Sequence, residues 1–397
     1  MTNTSKPSLI QRNHSLSPIS NRNCYQNTSW GISIIIPTFK RVVMCETLLI
    51  SLQKSRRNVE TPVEIIFVDN SPKKEAKQIQ TLCHQYHVQY YYREIGVGAK
   101  RNFGASIATY PIILFIDSDC EATPNLIYQH LNCYSINPNT VAVLGKTEFK
   151  GETTFIWKAI QYTPFIVPFT LGNQSEKQVW GPSNNLSCRK NIFEEINGFD
   201  ESFPDKPGGE DVDLGYRFYK KGYLLTTNNQ ALIYHTTETW NTFNQVFNRL
   251  FNWGQVEFHL YYNHADYLYY DSPKGLGICL LFTLLGIFLS IWETNYKWLL
   301  LPGIFLIIDF CFRSIVHFYY YPERIKNINK VFLAEILILV YELGLICKCI
   351  KKLWFLPLYS CLIVTPEQAS LIWNQKVIQI WLTFIQLVLT IVVVYSL

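Results

Sequence analysis

An apolar run at residues 111–116, Pro-Ile-Ile-Leu-Phe-Ile, stops at two carboxylates, Asp117 and Asp119, with Ser118 between them. A run of that length suits a strand buried on both faces, the signature of a central strand in an α/β sheet. Ligands of such sheets gather at the carboxyl ends of the strands. Two acids there can hold a hard divalent cation, Mg²⁺ or Mn²⁺, which commonly carries substrate phosphates rather than sitting in an all-protein cage. Taken alone, the pair reads equally well as a solvated turn with acidic caps.

The flanking sequence repeats the pattern. Residues 33–36 are an apolar strand stopped by Pro37 and Thr38, and residues 42–54 follow with helical spacing. A strand at 63–68 ends in Asp69-Asn70-Ser71, then a polar helix-period segment covers 73–86. The strand at 88–93 leads into Gly96-Val97-Gly98-Ala99-Lys100-Arg101-Asn102-Phe103-Gly104, ahead of the Asp117–Asp119 strand. Strands alternating with helices predict βαβ units and a parallel sheet. Downstream lie Trp180-Gly181-Pro182-Ser183-Asn184-Asn185, Gly198-Phe199-Asp200-Glu201 and Gly208-Gly209-Glu210-Asp211-Val212-Asp213.

This ordered series resembles glycosyltransferase family 2 over residues 31–253. The resemblance implies the α/β GT-A fold of nucleotide-diphospho-sugar transferases, a Rossmann-like mixed sheet flanked by helices. It also implies metal-dependent, inverting transfer from a nucleotide-diphosphate sugar, with uracil the first choice of base and guanine or thymine the others. Carried over residue by residue, it places donor contacts at Pro37, Thr38, Asp69, Arg101, Asn102 and Asp117. Asp119, with Asp117, becomes the metal ligand, Asp211 the general base, and Glu210 its neighbour. His235, after the apolar run 231–234, matches a histidine that some relatives place near the metal or phosphates.

The chemistry agrees with those roles. A nucleotide-diphosphate leaving group gathers negative charge as its bond to the sugar breaks, and a cation across the phosphates stabilises that charge. The acceptor hydroxyl is a poor nucleophile until a positioned carboxylate takes its proton, an effect worth typically ~10²–10⁴-fold. Arg101 offers a fixed positive charge, and backbone N–H groups at a glycine-bearing helix start suit phosphate. Trp180, Asn184 and Asn185 are candidates for an acceptor pocket, an aromatic face and two amides suiting a sugar ring.

Plainer readings stand beside these. Asp69 can cap a turn with Asn70 and Ser71, Trp180 can be core, and His235 can make a structural hydrogen bond. Glu210, Asp211 and Asp213 also suit the first turn of any helix, where the dipole favours acids.

Aromatic residues make up 15% of the 397 and charged ones only 16%, because charge thins sharply after Gly275. Residues 276–292 carry no charge, 298–312 carry only Asp309, 331–347 carry Glu335 and Glu342, and 377–397 carry none. Crossing a hydrocarbon core takes ~17–25 apolar residues. The clustering predicts a C-terminal membrane-embedded helical region at 271–397, after a catalytic domain at 31–270. A cytoplasmic donor would place the catalytic domain inside, in a multi-pass protein of the cell membrane. Segment 331–347 is expected along the interface or re-entrant, since crossing would put Lys348, Lys351 and Lys352 outside. Its two acids suggest a face that presents a lipid-linked acceptor.

Residues 1–30 are rich in Ser and Asn and read as a loosely attached extension. Eleven scattered cysteines without C-x-x-C pairs argue for free thiols rather than zinc or disulfides. The formal charge of +5 comes without a basic stretch dense enough for nucleic acid. The expected partners are therefore a nucleotide-diphosphate sugar, a glycan or lipid-linked acceptor, and membrane lipid. A processive polysaccharide synthase is the nearest alternative. Such relatives carry Gln-x-x-Arg-Trp, whereas this chain spaces Gln245, Arg249 and Trp253 differently. An inactive membrane scaffold of the same fold is the alternative of another class.

Overall fold

The computed structural model describes residues 30–173, 177–203, 208–270, 274–362 and 366–397. The expected extension at 1–30 lies outside the described residues, Trp30 apart.

The chain opens with β1 (Ile32–Thr38), α1 (Val42–Arg56), β2 (Val63–Asp69), α2 (Lys73–Gln85), β3 (Gln89–Tyr92), α3 (Val97–Ile107) and β4 (Ile112–Ile116). It continues through β5 (Cys120–Ala122), α4 (Leu126–Ile136), β6 (Ala142–Lys150), α5 (Phe155–Ile160), β7 (Lys177–Gln178), β8 (Asn185–Arg189), α6 (Lys190–Glu195), α7 (Glu210–Lys220) and β9 (Leu225–Thr236). The sheet order is β3-β2-β1-β4-β8-β6-β9-β5, with β7 also on β9. The first four strands in that order are mutually parallel, and β8 runs against both β4 and β6.

β1 is buried at all seven positions because it feeds two cores. Ile32, Ile34 and Ile36 pack toward Leu48, Leu49 and Leu52 of α1, while Ile35 joins Ile66, Phe115 and Leu186 on the other face. Burying each such side chain stabilises by about 1.5–3 kcal/mol. That is why the alternating pattern of a half-exposed strand is absent here. Parallel register sets Thr38 level with Asp69, and Asp69 level with Tyr92, so three strands end on one edge. Beyond β4 the chain turns through Asp117–Asp119 into β5, whose Cys120 pairs with His235 of β9. Register alone thus brings His235 beside Asp119.

Helix α8 (Phe243–Asn263) starts at a capping box between Thr242 and Gln245 and closes the cavity above the strand ends. Then come β10 (Leu268–Tyr270), α9 (Gly275–Trp292), α10 (Leu301–Tyr320), α11 (Ile328–Lys352), β11 (Ser360–Leu362) and α12 (Pro366–Ser396), with β10 and β11 antiparallel. Two stretches, Gly275–Trp292 and Tyr296–Tyr320, are long and apolar enough to cross a bilayer. Helix α11 packs on α8 and α5, and α10 packs on α9 and α12. Its acids do not face outward, contrary to the acceptor-presenting face expected from the sequence. Glu342 takes hydrogen bonds from Arg313 (2.9 Å) and the Leu276 N–H (3.0 Å), and Glu335 lies 3.4 Å from His317 Nδ1. A charge set among apolar helices needs such partners, so both acids are turned inward.

Where α8 and α11 cross, the backbones touch through glycines. A Cβ on Gly254 would stand 1.9 Å from the Tyr341 carbonyl oxygen, and one on Gly344 would stand 2.0 Å from that of Phe251. Gly254→Ala must push two backbones apart and should cost about 1–3 kcal/mol, as overpacking does. Gly303→Ala meets nothing within 4 Å, and as a helical glycine it should be neutral or gain up to ~1 kcal/mol. Melting temperatures of the two variants in detergent should move apart; equal shifts would mean the crossing is looser than described.

Candidate functional site

A cavity of about 1040 Å³ opens at the carboxyl ends of β1, β2 and β4. One end is formed by Pro37, Thr38, Asn70, Ile95 and Gly96. Lys100 forms its floor, donating to the Thr38 carbonyl (2.8 Å) and to Asn70 Oδ1 (2.9 Å). Burial brings the Lys100 ammonium down to about 8. Asp69, expected to contact the base, does not line this cavity. It is fully buried, accepting from the Ser71 N–H (2.9 Å) and the Tyr90 hydroxyl (2.9 Å). The strand period turns Asp69 inward and leaves its neighbour Asn70, just past the strand, facing the cavity.

The middle of the cavity holds the two acids after β4. Asp117 Oδ1 accepts from Arg101 Nη2 at 2.8 Å, and Arg101 Nη1 reaches Glu210 Oε1 at 2.9 Å. Burial opposes the Arg101 charge, but Asp117 and Glu210 outweigh it and raise its pKa. Asp119 is buried, with Arg41 Nη1 at 2.9 Å and His235 Nε2 at 3.5 Å from its Oδ2. Burial works against that carboxylate, yet neighbouring positive charge, from His235 when it is protonated and then from Arg41 and Arg249, holds it below the usual range.

The donor set fits a divalent cation. Asp119 Oδ1 is buried without a hydrogen-bond partner among the described residues. His235 Nδ1 lies 2.8 Å from the Thr236 carbonyl, which can only accept, so the neutral ring carries its proton on Nδ1 and points the Nε2 lone pair at Asp119. Cys120 Sγ lies within 4.8 Å of these ligand atoms, but burial pushes its thiol far above the ordinary range and leaves it an uncharged, poor partner for a hard ion.

The third wall comes from α7 and α8. Gly208 and Gly209, with φ of 140° and 82°, take the chain into α7 along a path that side chains rarely adopt. Glu210 braces this turn, accepting from the Gly208 N–H (2.7 Å) as well as from Arg101. Asp211 is half-buried in the cavity, its carboxyl pushed up to about 7 by burial and then by the Glu210 charge. Asp213 points the other way, binding His264 Nε2 (2.9 Å) and Arg217 Nε (2.8 Å), and so ties α7 to the end of α8.

Three other expected residues are placed elsewhere. Asn102 lies outside the cavity, since it donates to the Phe199 carbonyl and Glu201 and accepts from the Phe199 N–H, zipping α3 to that loop. Asn185 is buried in the sheet, where its amide bridges the Lys146 and Ala231 carbonyls at the β6–β9 bulge and meets His130. Trp180 packs with Tyr216 and leans on Gly215, so of the acceptor trio only Asn184 lines the cavity. Conversely, Arg41, Arg249, Trp240 and Trp253 line it and were not singled out as site residues. Arg249 stacks over Trp240 at 3.7 Å, and burial lowers it to about 10, still a cation at neutral pH. Four residues apart on α8, Arg249 and Trp253 share one face, a signal that helical spacing could have supplied.

Residues 33–194 match the sequence model of Glycosyl transferase family 2. Validoxylamine A glucosyltransferase of Streptomyces hygroscopicus subsp. jinggangensis is 24% identical over 230 residues, covering 50% of this chain and 54% of that one. Chondroitin synthase of Pasteurella multocida is 24% identical over 248 residues, 53% of this chain and 25% of the synthase. The chain thus spans about half or less of the length of these relatives. The crystal structure of S. aureus TarS 1-349 superposes with a TM-score of 0.40 at 15% identity, covering 77% and 90% of the two chains. The ordered motifs, the mixed sheet with its strand-end cavity and the family match agree: residues 33–194 are similar to family 2 glycosyltransferases and lie in a mixed α/β domain of the kind that resemblance implies.

Proposed function

We propose that this enzyme moves a sugar from a nucleotide-diphosphate donor, UDP-linked in the first instance, to a hydroxyl of a glycan or lipid-linked acceptor, with inversion. One observation carries the reading: Asp211 shares a cavity with the Asp117–Asp119 pair, and Arg101 joins the two groups of acids. Asn70 and Lys100 lie where the base would bind, and Arg249 where the diphosphate would. Asp119 and His235 would hold Mg²⁺ or Mn²⁺. Such an ion, when bound, supplies Lewis-acid stabilisation of the leaving diphosphate. Asp211 takes the acceptor proton, and its raised pKa makes it a stronger base than an ordinary carboxylate. Glu210 stays in its turn, tied to Arg101 and the Gly208 N–H, and serves as a brace.

A second reading, processive synthesis, gains from one observation. Arg249 and Trp253 both reach the cavity although their spacing from Gln245 departs from the synthase signature, and Gln245 is engaged in the helix cap. Product length from a single acceptor separates the two readings.

The apolar helices support a membrane placement. The Lys297 ammonium donates to the Tyr395 carbonyl at 3.0 Å, bringing the end of α12 to the α9–α10 turn. Lys274 stands at the start of α9 with Arg313 against the adjacent Gly275, while Lys330 opens and Lys348, Lys351 and Lys352 close α11, the helix that packs on α8 of the catalytic domain. We read α9, α10 and α12 as crossing the bilayer and α11 as lying along its cytoplasmic face, in keeping with the positive-inside tendency. With Cys311 and Cys347 replaced by serine, a cysteine at Asn295 should react with an impermeant maleimide on intact cells. One at Lys351 should react only after permeabilisation; the reverse pattern inverts the topology.

Asp211→Asn should lower kcat by ~10²–10⁴ while donor affinity holds. A carboxylate base is lost on protonation, so kcat/KM should fall about tenfold per unit below pH 7 in the wild type and flatten in the variant. A matching loss of donor affinity, measured calorimetrically, would remove Asp211 from the base role. Asp119→Ala should abolish the Mn²⁺-dependent part of nucleotide binding, and chelation should reduce wild-type protein to the same level. Full metal-dependent affinity in that variant would put the cation elsewhere.

A further inference from the structure

We propose that Arg41 gates the cation site: its guanidinium occupies Asp119 until the donor diphosphate draws it off, so metal and nucleotide bind cooperatively. The proposal rests on the cation–diphosphate reading above. Arg41 Nη1 stands 2.9 Å from Asp119 Oδ2, the oxygen that His235 Nε2 approaches to 3.5 Å and Thr239 Oγ1 to 3.4 Å. A divalent cation held by Asp119 and His235 would therefore meet the guanidinium at contact distance. Two like charges that close repel strongly in a site screened from water.

The two arginines near Asp119 differ in freedom. Arg249 extends from a long helix and stacks on the buried ring of Trp240. Arg41 extends from a short loop, its side chain 35% exposed against 3% for Asp119, and it lines the cavity. That loop is strained: Lys40 and Arg41 have φ of 61° and 56°, two successive left-handed residues of which neither is glycine. The Lys40 N–H is held by Ser71 Oγ at 2.5 Å, and the Arg41 side chain makes no helix cap for α1. Backbone strain of this kind gathers at switches and ligand clamps. A diphosphate matches the planar fork of a guanidinium and competes directly for it. Once Arg41 moves to phosphate, Asp119 is left to the cation. Linkage then requires the nucleotide to tighten metal binding by the factor with which metal tightens nucleotide binding.

The test is Mn²⁺ binding to the full chain, followed by the electron-paramagnetic signal of free Mn²⁺, with and without UDP, GDP or dTDP. Without nucleotide, Arg41→Gln should bind Mn²⁺ about tenfold more tightly than wild type, within the ~5–150-fold usual for coupled sites. The enhancement by nucleotide should shrink by a similar factor. Lys40→Gln removes one neighbouring charge that does not touch Asp119, and should behave as wild type. If Arg41→Gln fails to fold, Arg41→Gly serves, since glycine takes the same φ without strain. Folded Arg41 variants that bind Mn²⁺ no more tightly than wild type, or a Lys40 variant that matches them, would overturn the gate alone. Wild type that binds no Mn²⁺ with any of the nucleotides would remove the cation reading and the gate with it.

Discussion

The buried guanidinium of Arg101 is the constraint on which the site depends. It leaves water to bridge Asp117 at the end of β4 and Glu210 at the start of α7, at 2.8 and 2.9 Å. Such a group is costly to bury unless every partner is in place, and removing one partner of a buried pair commonly costs about 3–5 kcal/mol. Its geometry is therefore well determined, and two elements 16 and 109 residues away in sequence are fixed against α3. Lysine could not substitute, because a single ammonium lacks the planar fork that reaches two carboxylates in set directions. The arrangement also explains the two unlike acids of α7. Glu210 is held as a charged brace, and that charge is the second cause, after burial, of the raised pKa of Asp211.

A second constraint runs through the backbone contact of α8 and α11. Gly254 and Gly344 bring the helices so close that neither tolerates a methyl group without movement. Trp253, adjacent to Gly254, lines the cavity, while α11 also meets α9 and α10. Arg313 adds a polar tie, binding Asp309 on its own helix and Glu342 on α11. One wall of the cavity is thus carried by the same framework that packs against the apolar helices. On the membrane reading proposed here, insertion and catalysis share a rigid connection.

The architecture was legible wherever burial had to be continuous. β1, β2 and β4 are apolar at most positions because both faces are covered, and Asp69 at the end of β2 and Asp117 just after β4 mark the sheet edge. Residue-level placement was legible less evenly. Asp69 and Asn70 are adjacent, and only strand geometry decides which of them faces the cavity. Asn185 resembles a sugar-binding amide in sequence, yet the β6–β9 bulge leaves carbonyls that need a donor, and its amide supplies it. Arg249 and Trp253 were weighed by distance from Gln245 in a linear pattern, while the helix sets them on one face. Arg41 carries no sequence signal of its own. The role proposed for it rests on its contact with Asp119 and on a left-handed loop, neither of which the residue order announces.

The charge of the cavity bears on what enters it. Among the described lining residues, Arg41, Lys100, Arg101 and Arg249 stand against Glu94, Asp117, Asp119, Glu210 and Asp211. Cations and carboxylates nearly cancel, and Arg101 is already committed to two acids. A diphosphate entering alone would add negative charge beside Asp117 and Asp119, and a divalent cation alone would displace or oppose Arg41. Entering as a pair, each offsets the charge of the other, and Arg41 exchanges a carboxylate for a phosphate instead of losing its partner. On the reading proposed here, the near-neutral cavity thus favours the metal–diphosphate complex over either component, a selectivity that arises from the balance of the whole site rather than from any one ligand.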